Sequence, residues 1–283
     1  MPLPQDFDTD EFVARILAED LGSGGDVTSA ATIPDGERLA AVMASRQEIV
    51  VAGLDIAVAV FRKLDPEVDI RVECSDGDRV AEERVLMRLA GNARAMLTAE
   101  RSALNTVQHL SGIATLTRRY ADAVAGTGAT LLDTRKTIPG LRVLEKYAAR
   151  MGGASNHRMR LDDGVLIKDN HVAACGGIVE AVRRARSANT GLHVQVEVDR
   201  IDQIEPALEA GADRLLLDNM MPATLREAVV LVNGRVPLEA SGGVTLDTIR
   251  AIAESGVDFV SVGRITQSAP AVDIGLDYRV EPR

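Results

Sequence analysis

Arg214-Leu215-Leu216-Leu217-Asp218-Asn219 is a short apolar run that stops on two polar residues, and the second half of the chain repeats this form. Similar runs occupy residues 130–132, 165–167, 194–198, 237–240 and 259–262, each followed by a helix-like stretch. Such alternation predicts a parallel sheet built from β/α units. Six runs are fewer than the eight of a full barrel, so the expected architecture is an incomplete α/β barrel, or one closed by strands that the pattern does not reveal.

The polar residues that end these runs carry the functional signal. They are Asp133-Thr134-Arg135-Lys136, Lys168-Asp169-Asn170-His171, Glu197, Asp218-Asn219, Ser241-Gly242-Gly243 and Gly263-Arg264. In barrels of parallel strands the C-terminal ends converge on one mouth, where the chemistry sits. Arg135, Lys136 and Lys168, with His157 and Arg158 from the glycine-containing segment 152–158, therefore predict a ligand with several negative charges. Taken singly, each of these cations is an ordinary solvated charge; their joint placement gives the prediction its force. Ser241-Gly242-Gly243 precedes a helix-like stretch at 246–254, so backbone N–H groups and a helix N-terminus are expected to hold a phosphate, with Gly263 beside them. The plainer alternative is a glycine turn without a ligand. Glu197 and Asp218 either pair with the cations or hold Mg²⁺ and sugar hydroxyls through their oxygens. His109 and His193 stand alone in ordinary elements and read as structural, and no histidine spacing predicts zinc.

The first half of the chain reads differently. A helix opens it, with Phe12, Val13, Ile16 and Leu17 behind the acidic stretch 8–11. Val68, Ile70, Val72 and Cys74 alternate with Asp69, Arg71 and Glu73, which predicts a half-buried strand ending at Asp76-Gly77. Further strands are expected in 39–51 and 84–89, with a helix at 54–64 between them. These elements predict an open sheet backed by helices. Residues 93–124 have one Gly and no Pro, as a long buried helix or two near-continuous ones would, and the domain junction is placed there. The expected division is an N-terminal domain at 1–112, to which a tail at 270–283 returns, and a barrel domain at 113–269.

Composition bounds the function. The chain has 283 residues, a formal net charge of −10, no Trp and 2% aromatic residues, which argues against a nucleic-acid binder. Two cysteines, Cys74 and Cys175, without a Cys-x-x-Cys pair, read as free thiols in a reducing compartment, and a cytoplasmic location is expected. No apolar run approaches the roughly 18 residues of a membrane span, so membrane insertion is not expected.

Several longer motifs, in order, carry a resemblance. They include Leu97-Thr98-Ala99-Glu100-Arg101-Ser102-Ala103-Leu104-Asn105, Asp133-Thr134-Arg135-Lys136-Thr137, Asn156-His157-Arg158-Met159, Leu166-Ile167-Lys168-Asp169-Asn170-His171, Leu217-Asp218-Asn219-Met220 and Glu239-Ala240-Ser241-Gly242-Gly243. This series resembles the quinolinate phosphoribosyltransferases, also called nicotinate-nucleotide pyrophosphorylases, from Asp20 to Leu276. The resemblance implies an N-terminal α/β sandwich, a C-terminal incomplete α/β barrel, and a homodimer in which each sandwich caps the partner's barrel mouth. The activity it implies is decarboxylating transfer from phosphoribosyl pyrophosphate to quinolinate, with Mg²⁺ and no organic cofactor, in NAD biosynthesis.

Carried over by position, the resemblance assigns Arg101, Thr134, Arg135, Lys136, His157, Arg158 and Lys168 to the substrate anions, Arg101 reaching in from the other subunit. It places Glu197 and Asp218 near the ribose and Mg²⁺, the metal held directly or through substrate or water. Lys136, His157, Lys168, Glu197 and Asp218 form the implied catalytic set. The 5-phosphate falls to Ser241, Gly242 and Gly243 with Val262, Gly263 and Arg264. Arg160, Val50 and Gln267 depart from the family pattern, and Arg160 is the one whose bulk near Arg158 bears on the carboxylate pocket. Three rivals stand beside this reading: a Schiff-base aldolase using Lys168, a molybdenum-transport-associated paralogue acting on another aromatic acid, and a non-catalytic binding protein.

Overall fold

A computed structural model describes residues 3–4 and 7–279. Two compact units emerge: 1–116 with 143–152 and 268–283, and 117–142 with 153–267. Twelve strands are described, here named in chain order. They are β1 Arg38–Ser45, β2 Ile49–Val50, β3 Asp69–Val72, β4 Arg79–Val80, β5 Val85–Asn92, β6 Thr130–Leu132, β7 Val165–Ile167, β8 Val194–Val198, β9 Arg214–Asp218, β10 Leu238–Ser241, β11 Phe259–Ser261 and β12 Ile274–Arg279.

The first unit is an antiparallel sheet of order β12-β1-β5-β3 with a separate β2-β4 ladder. Met43, Leu86, Met87 and Leu89 of the sheet are buried, as are Ile56, Val60 and Phe61 of the helix Leu54–Leu64. That helix is fixed at its start by Asp76, whose carboxylate accepts the N–H groups of Gly53 at 2.7 Å and Leu54 at 3.2 Å and the hydroxyl of Tyr147 at 2.7 Å. One correction concerns the alternating stretch 68–74. The strand is only Asp69–Val72, and Val72 is 43% exposed. It pairs with β5 alone, so its other edge faces outward, and Asp78 draws the chain into a turn by accepting the Ser75 N–H. Residues 93–124 form one continuous helix, Ala93–Val124.

The second unit is a six-stranded parallel sheet of order β6-β11-β10-β9-β8-β7. Its end strands β6 and β7 are not paired with each other, and a single bridge from Leu132 to Ser155 extends the ladder beyond β6. This open-ended set of six is the incomplete barrel architecture. The outward side chains Val194, Val196, Leu215, Leu217, Leu238, Ala240 and Val260 are buried, and helices such as Ile178–Ser187 and Ile249–Ala253 lie against the strands. The latter helix corrects the stretch 246–254. The regular helix has five residues, and a turn leads into it: the Thr245 carbonyl accepts the N–H groups of Thr248 at 3.2 Å and Ile249 at 2.9 Å, while Thr248 Oγ1 accepts the Thr245 N–H at 3.0 Å. Among the described residues no helix is long and apolar enough to cross a membrane.

Asp76→Ala removes three hydrogen bonds from one carboxylate and is expected to lower unfolding free energy by about 2 kcal/mol. A urea denaturation curve with an unchanged midpoint would show that the cap is dispensable.

Candidate active site

The register of the parallel ladder decides what shares a face. Gln195 pairs with Arg214, Leu216 with both Glu197 and Glu239, Asp218 with Ser241, and Glu239 with Phe259. Partners across a parallel ladder point the same way, so these residues line one side of the sheet while their apolar neighbours line the other. That side opens into a cavity of 650 Å³, bounded by the strand ends and the loops that follow them. Thr134, Arg135, Lys136, His157, Arg158, Lys168, Glu197, Asp218, Ser241, Gly242, Gly243, Val262, Gly263 and Arg264 all line it. Arg101 is not among these lining residues; it is exposed on the helix Ala93–Val124, in the first unit.

Each cation is placed by a local device. Thr134 Oγ1 accepts the Lys136 N–H at 3.0 Å, and the Lys136 carbonyl accepts the Thr266 hydroxyl at 2.8 Å. The Lys136 side chain passes over Gly263, where a Cβ would stand 2.7 Å from Lys136 Cδ. Arg158 donates to the Gly164 carbonyl at 2.8 Å. Burial and the charge of Arg135 lower the Arg158 pKa from its ordinary value, with Asp163 opposing. Arg135 Nε is buried without a hydrogen-bond partner among the described residues. Two crowded guanidinium groups and an unsatisfied donor favour an incoming anion.

The acids occupy the neighbouring strand ends. Lys168 Nζ lies 3.5 Å from Glu197, whose side chain is 14% exposed. Burial raises the Glu197 carboxyl pKa; Lys168 lowers it in part, and Asp218 and Asp169 add to the rise. Asp218 is raised as well, by burial first, against the Asn219 hydrogen bond, Lys168 and Lys136. Asn219 holds a positive φ of 55°, donates to Asp218 Oδ2 at 2.6 Å and gives its backbone N–H to Ser241 at 2.8 Å. Gly242 lies beneath it with φ +87°, and a Cβ there would meet Asn219 Oδ1 at 2.2 Å. The β9 and β10 ends are thus locked together by a contact that only glycine permits.

Two desolvated carboxylates on adjacent strands suit a cation, yet no cluster of three His, Cys, Asp or Glu ligands exists among the described residues. Carboxylate oxygens such as those of Glu197 and Asp218 are donors of the kind that a hard divalent cation takes.

Sequence reasoning missed the buried polar layer beneath these residues. Asp133 is fully buried and accepts the His157 N–H at 2.8 Å and Asn156 Nδ2 at 2.5 Å. Glu239 is also fully buried, close to His157, Gln195 and Arg214. Both belong to motifs quoted above, and the strand alternation that turns Glu239 toward the cavity was the available signal. Arg160 is not among the residues lining the cavity and pairs with Asp162 at 3.3 Å, whereas Gln267 lines it. His109 meets Glu145 at 2.8 Å, and His193 is an exposed side chain.

Comparison with known proteins follows the same lines. Residues 26–111 match the family profile of the quinolinate phosphoribosyl transferase N-terminal domain, and residues 113–277 match that of the C-terminal domain. Nicotinate-nucleotide pyrophosphorylase [carboxylating] of Mycobacterium leprae is 44% identical over 270 residues, covering 94% of this chain and 95% of its own. Quinolinate phosphoribosyltransferase [decarboxylating] 2, mitochondrial, of Nicotiana glauca is 38% identical over 299 residues, covering 99% and 85%. The crystal structure of nicotinate-nucleotide pyrophosphorylase from Ehrlichia chaffeensis superposes with a TM-score of 0.94 at 40% identity, over 97% of this chain and 100% of that one.

Because Glu197 and Asp218 bind protons more tightly folded than unfolded, their contribution to stability declines as pH rises through their folded pKa values and stays unfavourable above them. Glu197→Gln and Asp218→Asn are each expected to raise Tm at about pH 8, with the gain fading toward about pH 3 where both carboxyls are protonated. Calorimetric scans showing a lower Tm at the higher pH would reverse the assigned sign.

Proposed function

The chain belongs to the quinolinate phosphoribosyltransferase family, and from that membership we propose that the polar cavity of its second unit is where quinolinate and phosphoribosyl pyrophosphate react. The enzyme is a decarboxylating pentosyltransferase whose products are nicotinate mononucleotide, pyrophosphate and carbon dioxide, a step of NAD biosynthesis. The observation that carries the site assignment is the Arg135–Arg158 pair, two crowded guanidinium groups at the cavity wall whose repulsion a dianion relieves. Quinolinate supplies two adjacent carboxylates of the matching charge. Lys168 serves the same anions, and Thr134 orients Lys136 beside them.

Loss of pyrophosphate leaves positive charge on the ribose and negative charge on the leaving group. Lys136 and Lys168 face the departing anion, and a well-placed donor of this kind is typically worth roughly 3 to 4 kcal/mol. Glu197 and Asp218 hold the ribose hydroxyls and stabilise the cationic ring. Glu197 and Asp218 would be the protein's ligands for Mg²⁺, which when bound would supply charge neutralisation to the diphosphate. Ser241, Gly242 and Gly243, facing Val262, Gly263 and Arg264, take the 5-phosphate through loop N–H groups. Ribosylation makes the pyridine nitrogen cationic, and that ring receives the electrons left behind when the adjacent carboxylate departs as carbon dioxide. No covalent enzyme intermediate is needed. Lys168, ion-paired with Glu197, is poorly suited to be the free amine of a Schiff-base aldolase.

The proposal extends to assembly and location. Arg101, exposed in the single chain, is assigned to the quinolinate of a second subunit in a homodimer. We divide the domains at 112/113, beside the boundary between the two profiles, and assign 270–283 to the first domain, whose sheet β12 joins. A cytoplasmic location agrees with two unpaired thiols, Cys74 and Cys175.

Carbon dioxide is expected from carboxyl-labelled quinolinate only when phosphoribosyl pyrophosphate and Mg²⁺ are both supplied, and Lys136→Ala or Lys168→Ala should cut turnover at least about tenfold. Release without the sugar donor, or full turnover in either variant, contradicts the assignment. For the shared site, Arg101→Ala and Lys168→Ala chains, unfolded and refolded as an equal mixture, are expected to recover about a quarter of wild-type sites. No recovery above the separate variants would overturn the cross-subunit role of Arg101.

A further inference from the structure

We propose that Glu239 is a positioning residue which, backed by Arg214 and Gln195, sets His157 as a strut that holds Arg158 in place. The proposal rests on the reading above in one respect, that Arg158 meets a quinolinate carboxylate.

The two ring nitrogens of His157 face different partners. Nδ1 accepts the backbone N–H of Arg158 at 2.8 Å, and Nε2 faces Glu239 Oε2 at 3.3 Å. A donor aimed at Nδ1 requires a lone pair there, so the ring proton belongs on Nε2, the nitrogen on the carboxylate side. A proton on Nδ1 would set two N–H groups against each other. The ring provides a connection from the floor of the cavity to the backbone of a cation at its wall.

The floor is built to resist movement. Glu239 is 0% exposed, and its Oε2 accepts Gln195 Nε2 at 2.7 Å. The Arg214 guanidinium lies 2.7 Å from the same oxygen, off the hydrogen-bonding angle, and stacks 3.8 Å from the centre of the Phe259 ring. These side chains stand on β8, β9, β10 and β11, adjacent strands joined by continuous ladders. From the other side Asp133 accepts the His157 backbone N–H at 2.8 Å. Burial pushes the Glu239 carboxyl up, but His157, Arg214 and Ser261 together outweigh it and hold the group below its ordinary value.

A structural ion pair is a poor explanation of this arrangement. Glu239 Oε1 has no hydrogen-bond partner among the described residues, and a buried charge satisfied on one oxygen stabilises a core less than well-packed apolar side chains would. The arrangement gives direction instead: one carboxylate fixes the tautomer and the plane of the ring, and the ring fixes the start of the Arg158 side chain.

Two measurements test this. Hydrogen-coupled ¹⁵N spectra of the wild-type chain, with His157→Asn identifying its signal among the 4 histidines, are expected to show the Nε2–H tautomer near neutral pH. An imidazolium or Nδ1–H signal overturns the proposal. Steady-state kinetics form the second arm. Glu239→Leu/Arg214→Leu removes the buried pair together, and its KM for quinolinate is expected to rise about tenfold or more while KM for phosphoribosyl pyrophosphate changes less than about twofold. Glu239→Gln, which keeps an acceptor for the ring, should fall between the two. A folded double variant with the wild-type quinolinate KM, or with both KM values raised alike, overturns the positioning role. If the double variant does not fold, the wild-type tautomer and Glu239→Gln decide the question. A wild-type chain that converts no quinolinate would instead defeat the functional reading, and the tautomer would still test the strut.

Discussion

The pleat of the parallel ladder, with Leu216 seated between Glu197 and Glu239, is the constraint from which the rest of the second unit follows. Side chains alternate between two environments along each strand, so the same five residues of β9 supply both a buried apolar layer and the polar wall of a cavity. A slip of one residue would turn Leu215 and Leu217 into the cavity and carry neighbouring acids into the helix layer. Burying one unpaired carboxylate there costs several kcal/mol, after which the group would take up a proton. The apolar face thus fixes the register, and the register sets the chemistry.

This explains which parts of the molecule were legible in the sequence. The six strands were found because their outward residues, Val194, Val196, Leu215 and Leu217 among them, are apolar at short range. The residues at their ends, from Arg135 to Asp218, were found because a polar group that stops an apolar run at a strand terminus has one destination in this architecture. Glu239 and Arg214 were passed over because a charged residue within or beside a strand of four or five residues reads as a surface position, and the inward face of a barrel is normally apolar. Asp133 was quoted in its motif, yet its full burial depends on Asn156 and His157, more than twenty positions later. The helix expected at 246–254 is regular only over Ile249–Ala253, after a turn in which the Thr248 side chain bonds the Thr245 backbone, a detail that hydrophobic spacing does not register. At 68–74 alternation was real but marked an edge strand with little to cover it.

The cavity also shows how function is set against stability. Its acids are disfavoured by burial and its guanidinium groups crowd one another. Groups of both signs are held by strand ends and glycine contacts in positions where they satisfy one another only in part, as in the Lys168–Glu197 pair, which is the arrangement that preorganised electrostatic catalysis requires. Apolar residues in the same places would fold more stably and do nothing.

The pairing of β12 with β1 has a consequence for the order in which the molecule can be completed. β1 belongs to the early part of the chain, whereas its antiparallel partner follows every strand of the second unit. During synthesis the second unit's ladder can close first, while one edge of β1 waits with its backbone groups open to any extended segment nearby. Loss of residues 274–279 would leave the barrel's sequence whole and the first unit with an adhesive edge. A chain shortened at that end is therefore a candidate for aggregation even though no residue of the cavity has been removed.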